Sequence, residues 1–132
     1  MTRVLIVDHD IDVADQEADS LRRRGYEVVQ CWGPSHASCP VMRGLPCHAV
    51  ESADVLVYDV WSTGESEGGR RLVAGLREQY PRIPVVLTAP GMELDWVEVE
   101  GPHAVVPLVG TPTADRLDAA VHEALTQAQP AA

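Results

Sequence analysis

The stretch Ala53-Asp-Val-Leu-Val-Tyr-Asp-Val-Trp61 decides the fold of this chain. It is an apolar run that ends in a carboxylate, Asp59, and such a run is typical of a parallel strand that is buried on both faces of a sheet. In open parallel sheets, ligands and reacting groups lie in the crevice beyond the carboxyl ends of the strands. We therefore expect Asp59 in such a crevice; the alternative is that this carboxylate only caps the loop that follows.

Apolar runs and helical patterns alternate along the rest of the chain. Strands are predicted at 3–8, 26–31, 55–58, 84–88 and 104–108, and helices at 12–24, 70–80 and 111–128, with a short, poorly formed helix within 90–102. The segment 32–52 is rich in Cys, Pro and Gly, so that at most a short turn of helix fits around 39–44. The alternation predicts a doubly wound, five-stranded parallel α/β sheet in which the second helix is largely replaced by a loop.

Length and charge limit the classes of function. The 132 residues fit one domain over 1–129, followed by a frayed tail at 130–132. The formal net charge is -10, and all ten basic residues are arginine. This balance argues against nucleic-acid binding, which needs cationic groups, and favours basic protein surfaces or metal ions as partners. The absence of a long apolar run and of a leader pattern predicts a cytoplasmic protein without membrane contact.

Three polar side chains, Asp8, Asp59 and Thr88, follow predicted strands. With them, the chain resembles the receiver domains of two-component response regulators over most of its length. The matching pieces are Val4-Leu-Ile-Val-Asp-His-Asp10, Ala53-Asp-Val-Leu-Val-Tyr-Asp59, Ile83-Pro-Val-Val-Leu-Thr-Ala89 and the closing helix from Pro112. The resemblance implies a flavodoxin-like sheet of order 2-1-3-4-5 and a signalling function.

The resemblance also implies roles for individual residues. Asp59 would be the phosphoacceptor that takes a phosphoryl group from a histidine kinase, and Thr88 would contact the phosphoryl oxygens. Mg²⁺ would offset the negative charge that gathers during transfer, held by Asp8, Asp59 and the backbone carbonyl of Trp61.

Several positions depart from the pattern of the family. The second of its two adjacent acids is His9, a nitrogen ligand that suits Zn²⁺ or Ni²⁺ better than Mg²⁺, although Asp10 could substitute from one position further on. The lysine after the fifth strand is missing, and no nearby arginine is an obvious replacement. The positions of the lysine, the proline after the acceptor and the switch aromatic hold Pro107 or Leu108, Thr63, and Ala104 or Val105, respectively.

The loop that replaces the second helix contains the pattern Cys31-x4-His36-x2-Cys39-x7-Cys47-His48. Thiolates and imidazoles can form a closed tetrahedral Zn²⁺ site, which would stabilise a loop with little apolar surface. Cysteines are also among the most frequently buried residues, so reduced thiols packed under the loop are the alternative. A disulfide is the least expected outcome in a chain without an export signal.

Two hypotheses follow. In the first, the chain is an atypical, stand-alone receiver that is phosphorylated on Asp59 and regulates a partner protein through its acidic surface. In the second, it is a phosphorylation-independent pseudo-receiver, an interaction module with a Cys/His metal site in the 31–48 loop. An enzyme is not expected, because the chain lacks a glycine-rich dinucleotide motif, a P-loop and a nucleophile elbow. The sequence does not indicate an oligomeric state.

Overall fold

A computed structural model describes residues 1–8, 10–31, 40–59, 74–89, 105–110 and 112–128. Its sheet has five strands in the order β2-β1-β3-β4-β5, and each adjacent pair is parallel. The strands are β1 (Arg3–Val7), β2 (Glu27–Cys31), β3 (Val55–Asp59), β4 (Val85–Ala89) and β5 (Val105–Val109). The predicted fold class and strand order are therefore confirmed.

Among the described residues, four helical segments cover the two faces of this sheet. They are α1 (Ile11–Arg23), α2 (His48–Glu51), α3 (74–79) and α4 (Ala114–Ala128), with a 3-10 turn at Val41–Arg43. The predicted helix within 90–102 and the tail 130–132 lie outside the described residues. Within the described ranges, no helix combines the length and apolar character needed to cross a membrane.

Side chains alternate across the strands and form two separate apolar cores. The first core contains the buried faces of α1 and α4, and the second contains Val41, Val50 and Leu76 from the segments on the opposite face. Strand residues of the first core are Val4, Ile6, Val28, Val55, Val57, Val86, Val106 and Leu108. Strand residues of the second core are Leu5, Val7, Leu56, Tyr58, Val85, Leu87 and Val105.

Helix α1 is defined by polar residues at both ends. The Asp10 side chain accepts hydrogen bonds from the backbone N–H groups of Asp12 and Val13, which have no partner within the helix. The sequence predicts Gly25 as the C-cap, but the helix ends at Arg23 with Arg24 as its cap, and Gly25 follows with a φ of 95°. This left-handed conformation favours glycine and turns the chain into β2.

The connection from β2 to β3 contains more helix than the sequence predicted. The expected turn around 39–44 is present as the 3-10 turn, but α2 was not predicted, and it forms because Val50 is fully buried in the second core. The Tyr80 hydroxyl accepts a hydrogen bond from the Cys47 backbone N–H (2.8 Å) and donates one to Glu51 (2.7 Å). These bonds attach the short helix to the residue that follows α3.

The last strand and helix test two further expectations from the sequence. Pro107 predicts either an edge strand or a strand that ends early, and β5 is an edge strand that continues to Val109. Thr111, which precedes Pro112, is predicted as the cap of the last helix, but α4 begins at Ala114 and its cap is Thr113. The reason is that the Thr113 hydroxyl accepts a hydrogen bond from the Arg116 N–H (3.3 Å).

Candidate functional site

Three predicted site residues come together where β1, β3 and β4 end. Val7 and Tyr58 are the last paired residues of β1 and β3, so Asp8 and Asp59 stand opposite each other one position further on. Asp59 is paired directly with Thr88 on β4. The alternation along each strand directs all three side chains to the face covered by α1 and α4. Each of them is buried, with exposed fractions of 2%, 8% and 1% for Asp8, Asp59 and Thr88, respectively.

Hydrogen bonds orient the two carboxylates. The Thr88 hydroxyl lies 3.1 Å from Asp59 Oδ2 and 3.4 Å from the Tyr58 backbone carbonyl. Because the hydroxyl has a single proton, the shorter contact to the carboxylate is the stronger one. The Asp10 backbone N–H donates to Asp8 Oδ1 at 2.9 Å. Both acids therefore hold defined orientations at the strand ends.

A fourth polar residue, Glu17 on α1, was not identified from the sequence. It lies on the buried face of the helix with Ala14, Ala18 and Leu21, and its exposed fraction is 5%. The spacing offered a signal, because Glu17 is three residues after Ala14 and four residues before Leu21 and so falls on the apolar stripe. Its atom Oε2 is buried and has no hydrogen-bond partner.

Burial and charge both favour the protonated form of Glu17. Burial is the larger cause and the negative charges of Asp8 and Asp59 add to it, so that the pKa of Glu17 rises from 4.5 to about 8. The Glu17 carboxyl lies on the face of the sheet to which Asp8 and Asp59 direct their side chains, and the charges of both aspartates act on it. We refer to Asp8, Asp59 and Glu17 as the acid cluster.

Glu17 also lines a groove of about 600 Å³ between α1 and the beginning of α4. Val13, Gln16 and Ser20 form one wall of this groove, and 112–114 form the other. Glu17 Oε2 has almost no surface exposed to solvent. The partnerless oxygen is therefore directed into the protein interior rather than into the groove.

The other predicted Mg²⁺ ligands have different positions. Asp10 is exposed, and its carboxylate caps α1 through the bonds to Asp12 and Val13. His9 and Trp61 lie outside the described residues. Asp8 and Asp59 thus remain as the two buried carboxylates at the strand ends.

This donor set fits Mg²⁺, which prefers oxygen ligands and keeps several waters, so that one or two carboxylates suffice to bind it. The described residues contain no group of three or more His, Cys, Asp or Glu side chains that could hold a metal ion. A cation bound by Asp8 and Asp59 would therefore complete its coordination with water or backbone oxygen.

Arg116 is a positive group at the same edge of the sheet. The structure places Pro107 and Leu108 inside β5, so neither residue occupies the position after the strand where the sequence comparison had put them. The first residue after β5 is Gly110, and Arg116 Nη1 lies 3.2 Å from the point where a Cβ of Gly110 would be. Arg116 was not identified from the sequence, because it lies in the first turn of α4, after the loop that follows β5.

The predicted Cys/His site is described in part. Cys31 ends β2 and is exposed, Cys47 is half-buried, and His48 is the exposed first residue of α2. The structure contains no disulfide between these two cysteines. Cys39 and His36 lie outside the described residues.

Comparisons with known proteins identify solved structures of similar architecture. A scan against protein-family models and a search of curated proteins each returned no match. Among solved structures, a response regulator receiver domain protein from Clostridium thermocellum is 20% identical with a TM-score of 0.74, and the match covers 96% of each chain. A response regulator receiver protein from Sinorhizobium medicae is 18% identical with a TM-score of 0.72, and covers 97% of each.

The chemotaxis protein CheY4 of Vibrio cholerae is 22% identical with a TM-score of 0.68, over 95% of this chain and 99% of its own. All three similarities extend along almost the whole of each protein. Such identities establish similarity of fold, and they agree with the observed sheet order. This chain therefore has the fold of response regulator receiver domains.

Proposed function

We propose that this chain is a receiver domain that accepts a phosphoryl group on Asp59 and thereby regulates a partner protein. One observation carries the proposal: Asp59 is a buried carboxylate at the end of the central strand, opposite Asp8, with the Thr88 hydroxyl 3.1 Å from its Oδ2. The strand ends thus bring together a nucleophile, a second acid that can bind a cation, and a hydroxyl that can donate a hydrogen bond to the transferred group.

The chemistry assigns a separate task to each side chain. The Asp59 carboxylate attacks the phosphorus of a phosphohistidine on the donor kinase, the P–N bond breaks, and the leaving imidazole keeps the electron pair of that bond. The Thr88 hydroxyl, which donates to Asp59 before transfer, can donate to a phosphoryl oxygen afterwards. A divalent cation held by Asp8 and Asp59 supplies positive charge while negative charge gathers at the phosphoryl group.

Arg116 supports the same function from the end of β5, which β4 separates from β3 and Asp59. Phosphorylation adds negative charge beside Asp8, and a guanidinium at the edge of the sheet reduces the resulting repulsion. The side chain belongs to the first turn of α4, so this attraction acts on the helix. A movement of α4 or of the chain before it can carry the signal to the partner's binding surface.

The second candidate is an interaction module that works without phosphorylation, with a Zn²⁺ site in the 31–48 loop. Its described ligands are less well arranged for a closed site, because Cys31 and His48 are both exposed and stand at the ends of different elements. A structural Zn²⁺ site needs four converging ligands shielded from solvent.

Intact mass spectrometry tests the first candidate. We expect a small phosphoryl donor and Mg²⁺ to add the mass of one phosphoryl group to the native protein, and Asp59→Asn to abolish this gain. Asp54→Asn is the matched control, since Asp54 precedes the same strand at its amino end and is exposed. Persistence of the gain in Asp59→Asn, or the absence of any gain in the native protein, would contradict the proposal.

A further inference from the structure

Glu17 breaks the apolar pattern of the helix that carries it. Its neighbours on the buried face of α1, Ala14, Ala18 and Leu21, are all fully buried. A carboxyl group on such a face loses its contact with water, and Oε2 gains no hydrogen bond in exchange. A buried polar group without a partner costs about 1–3 kcal/mol. An alanine or leucine at this position would avoid that cost.

The surroundings of Glu17 indicate what could offset the cost of burying its carboxyl group. The Glu17 carboxyl lies on the face of α1 that packs against the sheet, and Asp8 and Asp59 direct their side chains to that same face. The negative charges of both aspartates act on it, so three acids share one buried volume. Two aspartates already suffice to bind a cation that retains its waters. The third acid has no structural partner that explains its position. A positive ion between the strand ends would satisfy all three.

We propose that Glu17 is a further residue of the divalent-cation site and that it binds the ion through one of the ion's water molecules. The outer position follows from the geometry, since the described residues contain no group of three His, Cys, Asp or Glu side chains that could ligate one metal ion together. An ion-bound water donates its hydrogen bond to Oε2, which supplies the missing partner. This inference rests on the proposed cation site of Asp8 and Asp59.

The inference explains why an acid is found on the apolar face of α1. Carboxylates that accept hydrogen bonds from the ligands of a metal ion orient those ligands and raise the affinity, and their loss typically lowers metal affinity about 10- to 100-fold. In this chain, the same interaction would join α1 to the ends of β1 and β3. Binding of the cation would thus tighten the packing of the helix against the sheet.

Binding of Mn²⁺, measured as the decrease of the free-ion signal in electron paramagnetic resonance, tests this role. We expect Glu17→Gln to weaken Mn²⁺ binding about tenfold relative to the native protein. Glu17→Leu is the second variant, because an apolar side chain suits this face of α1, and it should show the same loss of affinity while remaining folded. Asp19→Asn is the matched control on the same helix, since Asp19 is 64% exposed and paired with Arg23.

The results separate the two proposals. If the native protein binds Mn²⁺ and both Glu17 variants bind it as tightly, the role of Glu17 is refuted while the cation site stands. If the native protein and Asp59→Asn bind Mn²⁺ equally weakly, the cation site itself is refuted, and the role of Glu17 with it. If Asp19→Asn weakens binding as much as Glu17→Gln, general surface charge accounts for the effect, and the proposed contact is refuted.

Discussion

The two faces of the sheet are built from the same strands but carry different chemistry. The face covered by α1 and α4 contains all four buried polar residues of the described ranges: Asp8, Glu17, Asp59 and Thr88. On the opposite face, the described core consists of aliphatic side chains and Tyr58, packed against short helical segments. One residue step along a strand, from Tyr58 to Asp59, therefore separates a layer of aliphatic and aromatic side chains from a layer that also contains buried carboxylates.

On each face of the sheet, the hydroxyl of one tyrosine forms hydrogen bonds to a neighbouring segment. On the polar face, the Tyr26 hydroxyl donates to Asp118 of α4 at 2.9 Å, and Arg24 binds the same carboxylate. On the opposite face, the Tyr80 hydroxyl bridges Cys47 and Glu51. The first bond joins the connection between α1 and β2 to the long helix α4, whereas the second holds a helix of four residues. The following predictions test how far this comparison extends.

The largest expected loss of stability comes from the core under α4. Leu117 is 1% exposed, and its replacement in Leu117→Ala should lower the free energy of unfolding by about 2–5 kcal/mol, because it leaves a cavity between helix and sheet. Urea denaturation followed by circular dichroism measures this change. Leu45→Ala is the matched control, since Leu45 is 45% exposed, and equal losses in both variants would contradict the assigned core.

The acid cluster predicts a dependence of stability on pH. The pKa of Glu17 is raised from 4.5 to about 8 in the folded protein, so the folded state binds the proton more tightly than the unfolded state. The contribution is fully present below pH 4.5 and is lost as the pH rises through about 8. Within that window, the free energy of unfolding should fall by up to about 1.4 kcal/mol per pH unit.

Glu17→Gln isolates this contribution, because the amide does not titrate. The difference in unfolding free energy between the native protein and this variant, measured by urea denaturation at several pH values, should change across the window in the predicted direction. The opposite slope, or a constant difference, would show that Glu17 is ionised in the folded protein at neutral pH. Asp19→Asn on the exposed side of α1 should leave the pH profile almost unchanged.

The two tyrosine tethers should have similar, smaller effects. Tyr26→Phe removes the bond to Asp118, and Tyr80→Phe removes the bonds to Cys47 and Glu51. Each change should cost about 1 kcal/mol, the usual net contribution of such hydrogen bonds. Hydrogen exchange monitored by mass spectrometry would show where the loss occurs: near α4 for Tyr26→Phe, and in 47–51 for Tyr80→Phe. The reverse pattern would contradict the assignment of one tether to each face.

The smallest effect is expected at the surface of α1. Arg23 and Asp19 form an ion pair between side chains that are 79% and 64% exposed. Arg23→Gln should therefore change the free energy of unfolding by no more than about 0.5 kcal/mol. A thermal denaturation curve that shifts as far as that of Leu117→Ala would mean that this helix depends on its surface charges rather than on its buried face.

The sequence predicted what simple periodicity controls. Alternation and apolar runs defined the strands, and placing Asp8, Asp59 and Thr88 at strand ends required only the rule that the ends of parallel strands meet at one edge. Contacts between segments that are far apart in the sequence could not be predicted from periodicity. Helix α2 depends on its bonds with Tyr80, and the cap of α4 depends on the hydroxyl of Thr113, which competed with Thr111 for the same role.

Glu17 and Arg116 show a different difficulty. Glu17 has the right spacing for a buried residue, but acidic side chains are rarely buried, so a periodicity of apolar residues alone passes over it. Arg116 is separated from Gly110 by part of a loop and the first turn of a helix, and its approach to that glycine depends on the direction in which the chain turns. Both residues become visible once α1 and α4 are placed on the same face of the sheet.

The central claim is that Asp59 on the polar face receives the phosphoryl group. Hydroxylamine tests it most directly, because it attacks the acyl carbon of an aspartyl phosphate, releases phosphate and leaves a stable hydroxamate on the aspartate. After treatment with a phosphoryl donor and Mg²⁺, and then with hydroxylamine, tandem mass spectrometry should locate the hydroxamate on Asp59. A hydroxamate on Asp8 or on another acid, or none on any peptide of a protein that has gained a phosphoryl group, would contradict the account.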